Sequence, residues 1–219
     1  MRLVHAVHEP SGDGPHPTIV ALHGWGASAL DLLGLAPHLG PFLVICPQGP
    51  VEVAIAPGMR GYGWFPLSAG APPDRAAFEV ACTQLDAFLQ DAVGRYPIAA
   101  DKLAVLGFSQ GGVMAYALAL RERQRFAALA ALSTWLVAEL VKGTEQSPTL
   151  DRLPVLVQHG TSDPLIPVAR GREAVEQLRA WQADVVYREY DMGHEINAAS
   201  LRDLSEFLQR RLVSPLVRP

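Results

Sequence analysis

Short apolar runs rich in Val, Ile and Leu alternate with longer stretches of helical period, and that alternation restricts the chain to a parallel sheet covered by helices. Strands buried on both faces read as near-continuous apolar runs. Thr18–Leu22, Phe42–Cys46, Leu103–Phe108, Phe126–Leu132 and Pro154–Gln158 read that way, with further strands expected at Val185–Tyr190 and at an edge, Leu3–Val7. Between them, Ser28 is placed to cap a helix with Leu32, Leu33, Leu35 and Leu39 on its apolar face. Asp74 opens a second helix with Phe78, Ala81, Cys82, Leu85, Phe88 and Leu89 on one face, closed by Gly94. Val113–Arg123, about Ala169–Ala183 and Ile196–Leu212 complete the helical set.

Two stretches break this rhythm. Val51–Pro73 has no clean period and reads as a long loop, and Thr134–Arg152 is an irregular excursion. Long loops inside a compact domain are often functional. A length of 219 residues, without a repeat or an interdomain linker, fits one domain spanning 1–219, with excursions at about 51–73 and 134–152 over the site. A hydrophobic fraction of 49% excludes disorder, and a net charge of −4 leaves no basic footprint for nucleic acid. The longest apolar stretch, 126–141, is interrupted by Ser133, Thr134 and Glu139 and is too short to span a bilayer. The start of the chain lacks the apolar core of a signal peptide. The expectation is a cytoplasmic protein without stable membrane insertion, its state as monomer or homodimer open. Cys46 and Cys82 are expected as buried free thiols, and no Cys/His cluster has metal-site spacing, so neither a metal nor another cofactor is called for.

Gly107-Phe108-Ser109-Gln110-Gly111 lies between a strand and a helix. Gly-x-Ser-x-Gly there can set a serine on a tight strand-to-helix turn with its hydroxyl exposed. A lone match arises by chance in roughly 7% of such chains, so its partners decide its meaning. Ligands of open parallel sheets bind beyond the carboxyl ends of the strands. Four strand ends here carry permissive or reactive residues: the His23–Gly26 turn, Ser109, Asp163 and His194. Serine, acid and histidine in that order fit nucleophilic acyl chemistry, with the Gln110 N–H as one oxyanion donor.

With Leu-His-Gly-Trp-Gly at 22–26, Pro-Gln-Gly-Pro at 47–50, Gly-Phe-Ser-Gln-Gly-Gly at 107–112, His-Gly-Thr-Ser-Asp-Pro-Leu-Ile-Pro at 159–167 and Met-Gly-His-Glu-Ile at 192–196, nearly the whole chain resembles one family. That family is the phospholipase/carboxylesterase group of the α/β-hydrolases, which includes acyl-protein thioesterases. The resemblance implies an α/β-hydrolase fold, a mostly parallel sheet of about seven strands flanked by helices on both faces. It further implies Ser109 as nucleophile, His194 as base, Asp163 as its orienting acid, and the Trp25 N–H as second oxyanion donor. The implied substrate is a small-molecule ester or thioester. The chain departs from the family at Trp64-Phe65-Pro66, where many members carry Asp after the aromatic pair, and at Ser133-Thr134, where the family has Ser-Gly. Both departures are expected where substrate sits.

Duller readings stand beside these. Asp163 could simply cap the turn before Pro164, leaving Asp191 as the next acid; His23 and His159 read as structural or supporting residues. Met59, Trp64, Phe65, Trp135, Leu136 and Ile166 could line an acyl groove or form satellite core beneath loops. A non-catalytic binder of a hydrophobic ligand and a lactone hydrolase are the alternative functions.

Overall fold

The computed structural model describes residues 3–67, 73–141 and 152–213. The strands are β1 (His5–His8), β2 (His16–Leu22), β3 (Leu43–Pro47), β4 (Val51–Ala56), β5 (Met59–Gly63), β6 (Ile98–Phe108), β7 (Ala128–Leu132), β8 (Pro154–Gly160) and β9 (Asp184–Tyr190). The helices are α1 (Ala36–Leu39), α2 (Arg75–Arg95), α3 (Gln110–Arg121), α4 (Ala138–Val141), α5 (Val168–Ala180) and α6 (Ala198–Leu212). Seven strands form one sheet in the order β1-β3-β2-β6-β7-β8-β9, parallel throughout except for β1, which runs antiparallel on β3. The expected mostly parallel α/β-hydrolase sheet is the observed one.

Burial on both faces explains the unbroken apolar strands. Val20, Leu22 and Val105 face one core layer, packed with Phe78, Leu85 and Leu89 of α2, Met114 of α3 and Val175 of α5. Their neighbours Ile19, Ala21, Ala104 and Leu106 face the other layer, closed by Leu39 of α1 and by Leu204, Phe207 and Leu208 of α6. The period of 2 along each strand therefore feeds two apolar layers at once. Asp74 caps α2 as expected, its Oδ1 accepting the Ala77 N–H at 2.7 Å. α6 is capped likewise by Asn197, which accepts the Ser200 N–H.

Three local expectations are corrected. Ser28 caps no helix: its Oγ only accepts the Leu30 N–H at 3.3 Å, and the chain then makes a 3-10 turn, Leu32–Leu35, leading into α1. Gly94 lies inside α2, which runs to Arg95 and stops before Pro97, a residue that restricts the one preceding it. Most of the supposed loop at 51–73 is a hairpin. Val51, Val53 and Ile55 alternate with Glu52, Ala54 and Ala56, and Pro57-Gly58 turns the chain with Gly58 at φ 77°. The hairpin docks on the turn after β2, where the Gly26 N–H donates to Tyr62 O (2.8 Å) and the Tyr62 N–H to Ala27 O (2.7 Å). Residues 68–72 of the first excursion and 142–151 of the second lie outside the described residues.

Phe78 is fully buried between α2 and the sheet, its ring 5.5 Å from that of Phe65 in an edge-on contact. Phe78→Ala should cost about 3–5 kcal/mol of stability, the usual toll of a large-to-small core change. Urea denaturation measures it, and a loss below about 1 kcal/mol would show that the layer re-packs.

Candidate active site

The turn between β6 and α3 is built from backbone contact too close for side chains. A Cβ on Gly107 would stand 2.3 Å from Gly111 O, and one on Gly111 would stand 2.0 Å from Leu22 O. Their absence lets α3 begin directly against β2 and β6. Ser109 between them has φ 52° and ψ −122°, a conformation that costs a non-glycine residue about 1–3 kcal/mol and persists only when its surroundings fix it. Its N–H donates to Leu132 O at 2.9 Å, and its carbonyl accepts the Gly112 N–H at 2.9 Å.

Asp163 and His194 come together from the ends of β8 and β9. His194 Nδ1 lies 2.7 Å from Asp163 Oδ2, and since the carboxylate can only accept, Nδ1 is the donor. The Phe108 ring is 4.8 Å from the His194 ring, so the imidazole stands beside the strand end from which Ser109 turns. Asp163 also caps its own loop, Oδ1 accepting the Leu165 and Ile166 N–H groups, both at 2.9 Å. One carboxylate thus caps its own loop with Oδ1 and meets the imidazole with Oδ2. Asp191 is exposed, whereas the Asp163 side chain has no solvent-accessible surface.

The His23–Gly26 turn borders the serine: a Cβ on Gly24 would be 3.3 Å from Ser109 Cβ. His23 is buried, with Nδ1 donating to Gly24 O (2.7 Å) and Nε2 accepting the Gly49 N–H (2.9 Å). Burial lowers its pKa, outweighing the Gly24 carbonyl and Asp31. The ring is therefore a neutral bracket between two loops. Trp64 Nε1 donates to His23 O at 2.9 Å, and Gln110 spans the same loop, Oε1 accepting the Trp64 N–H and Nε2 donating to Phe65 O. Neither the Trp25 nor the Gln110 N–H meets an acceptor among the described residues.

The Phospholipase/Carboxylesterase family profile matches residues 4–212. The chain belongs to that family. Acyl-protein thioesterase 1 of Mycosarcoma maydis is 28% identical over 93% of this chain and 95% of its own length. Acyl-protein thioesterase 1 of Gibberella zeae is 27% identical over 87% of this chain and 85% of its own length. Among solved structures, esterase PE8 superposes with a TM-score of 0.83 at 28% identity, covering 97% of this chain and all (100%) of that one. The Bacillus cereus carboxylesterase, at 21% identity and a TM-score of 0.80 over 95% and 94% of the two chains, shares the fold. This family member is a hydrolase of ester bonds.

Of the six residues expected along a groove, two line a cleft. Trp135 and Leu136 line a cleft of about 630 Å³ together with Leu67, Val137, Arg170 and Glu173. Trp64 and Phe65 are corrected to core: at 1% and 0% exposure, with their rings against His23 and Phe78, they offer nothing to a ligand. Met59 sits at the hairpin end, 61% exposed, outside that cleft. Ile166 works through its backbone, its N–H on Asp163 and its carbonyl accepting from His159 Nε2 at 2.8 Å. The expected free thiols are observed; burial raises Cys46 to about 12 and Cys82 to about 11, so neither is a thiolate at neutral pH. What the sequence did not reveal is the polar bracing behind the site, the side chains of Gln110 and Thr134 above all. Gln110 gave no signal beyond polarity inside the Gly-x-Ser-x-Gly turn, and Thr134 only its departure from the family's Ser-Gly.

Burial by itself pushes the Asp163 carboxyl up, but the Ile166 N–H, the His194 ring and the Leu165 N–H together outweigh it and hold the pKa below its usual value. A carboxyl depressed in the folded chain adds stability above the ordinary carboxylate range, and loses it as pH falls through the depressed folded value. Acidification should therefore lower the urea midpoint of the wild type more steeply than that of Asp163→Asn, which cannot titrate. Parallel curves would remove Asp163 from the acid-sensitive groups.

Proposed function

We propose that this protein is a serine hydrolase that cleaves carboxylic esters and thioesters through Ser109, His194 and Asp163. The observation that carries the reading is the 2.7 Å bond from His194 Nδ1 to Asp163 Oδ2, made where the imidazole packs 4.8 Å from the ring of Phe108, the residue before a serine held at positive φ. Ser109 Oγ attacks the acyl carbonyl while its proton passes to His194 Nε2. The new Oγ–C bond leaves a tetrahedral oxyanion, which the Gln110 and Trp25 N–H groups stabilise. Collapse breaks the bond to the leaving alcohol or thiol, which departs with the proton from His194. Water then repeats the sequence on the acyl-enzyme and frees the acid and Ser109. Asp163 stays ionised, holds the Nδ1–H tautomer and balances the imidazolium.

The cleft lined by Trp135 and Leu136 takes the acyl group: Trp135 follows Thr134, whose hydroxyl bonds the Ser109 carbonyl, and Arg170 and Glu173 also line the cleft. The fungal relatives are acyl-protein thioesterases, which favours thioesters among the substrates. Free buried thiols fit a cytoplasmic setting, and among the described residues no helix is long and apolar enough to cross a membrane.

Ser109→Ala should reduce p-nitrophenyl ester turnover by about 10⁴-fold or more and abolish labelling by a fluorophosphonate. A variant within about tenfold of wild type would refute the assignment of Ser109, and a wild type that the fluorophosphonate leaves unlabelled would leave the protein a binder of a hydrophobic ligand.

A further inference from the structure

We infer that Thr134 is a positioning residue that aims the Gln110 N–H at the oxyanion. The inference rests on the serine-hydrolase reading above. Thr134 Oγ1 donates to the Ser109 carbonyl at 2.7 Å, beside the Gly112 N–H that donates to the same oxygen at 2.9 Å. That carbonyl and the Gln110 N–H belong to one peptide unit. The unit is planar and trans, so the two dipoles point in opposite directions and neither turns without the other. Two donors behind the Ser109 carbonyl therefore fix the direction of the amide in front.

Thr134 is itself held in place. β6 and β7 run in register with Phe108 opposite Leu132, which sets the 109 and 134 turns side by side. Ser133 takes φ 45° while its N–H donates to Gln158 O at 2.8 Å, and this kink swings the next residue back toward Ser109. On the far side Thr134 packs on Gly112, where a Cβ would lie 2.5 Å from both its Cβ and its Cγ2. At 1% exposure Thr134 touches no substrate, which corrects the sequence expectation that this departure lies in the substrate's place. A glycine at this position, as in the Ser-Gly pattern, offers no hydroxyl and leaves the Gly112 N–H alone on the carbonyl.

Losing an oxyanion donor outright typically costs 10²- to 10³-fold in kcat. With the Gly112 N–H remaining, misaiming it should cost less. Thr134→Val keeps the shape and removes the hydroxyl; it should lower kcat by about tenfold with KM within about twofold. It should weaken a trifluoromethyl ketone, which forms a tetrahedral adduct on the serine, by a similar factor. Thr134→Ser, which restores the hydroxyl, should recover both to within about threefold. Should the valine variant not fold, Thr134→Ser against Thr134→Ala isolates the hydroxyl in the same way. Equal kcat and equal ketone affinity with and without the hydroxyl overturn the inference, provided Ser109→Ala is inactive. An active Ser109→Ala would sink the serine reading itself, whatever Thr134 does.

Discussion

The site depends on how closely backbone can approach backbone at the carboxyl edge of the sheet. Gly107 touches Gly111, Gly111 touches the end of β2, and Gly160 lies where a Cβ would be 2.3 Å from Gly193 O. These contacts draw the ends of β2, β6, β8 and β9 together, and Ser109, Asp163, His194 and the Trp25 and Gln110 N–H groups all follow one of those ends. A single methyl at Gly111 would push α3 off the sheet and carry Ser109 with it. The strain in Ser109 is the counterpart of this crowding: the turn is too sharp for ordinary angles and is held by bonds from both sides.

Behind the reacting groups lies a buried polar layer. His23, Gln110, Trp64 and Gly49 satisfy one another's hydrogen bonds, and in a low-dielectric interior such a network rigidifies only when it is nearly complete. His159 serves the acid loop in the same manner. Its Nε2 holds the Ile166 carbonyl and lies 3.6 Å from Asp163 Oδ2, while its Nδ1, without a partner among the described residues, faces Gly171. Both carboxylate oxygens of Asp163 are thus held in place, Oδ1 by the Leu165 and Ile166 N–H groups and Oδ2 by His194.

Much of this was legible in the residues, and the exceptions have causes. The strands and helices carried their own periods, so the sheet and its two covering layers could be read directly. The β4–β5 hairpin went unread because glycine and aromatic residues in β5 mask the alternation that β4 and Pro57-Gly58 announce. The strand-end places of Ser109, Asp163 and His194 were readable from their order, and the structure adds the bond from His194 to Asp163. Trp64 and Phe65 were not separable from groove residues, because an aromatic between glycines and prolines suits a cleft wall and a core equally well. Only the packing of Phe65 on Phe78, and of Trp64 on His23, told them apart.

Sequence by itself determined the alternating architecture, the glycines that permit close approach, and the strand ends that carry Ser109, Asp163 and His194, since all of these follow from local period and residue chemistry. Tertiary structure decided which acid meets the imidazole, which aromatics face solvent, and which hydroxyl reaches the Ser109 carbonyl. Those outcomes turn on distances of a few tenths of an ångström between segments far apart in the chain. Such distances are set by the twist and register of neighbouring strands, and no local pattern of residues records them.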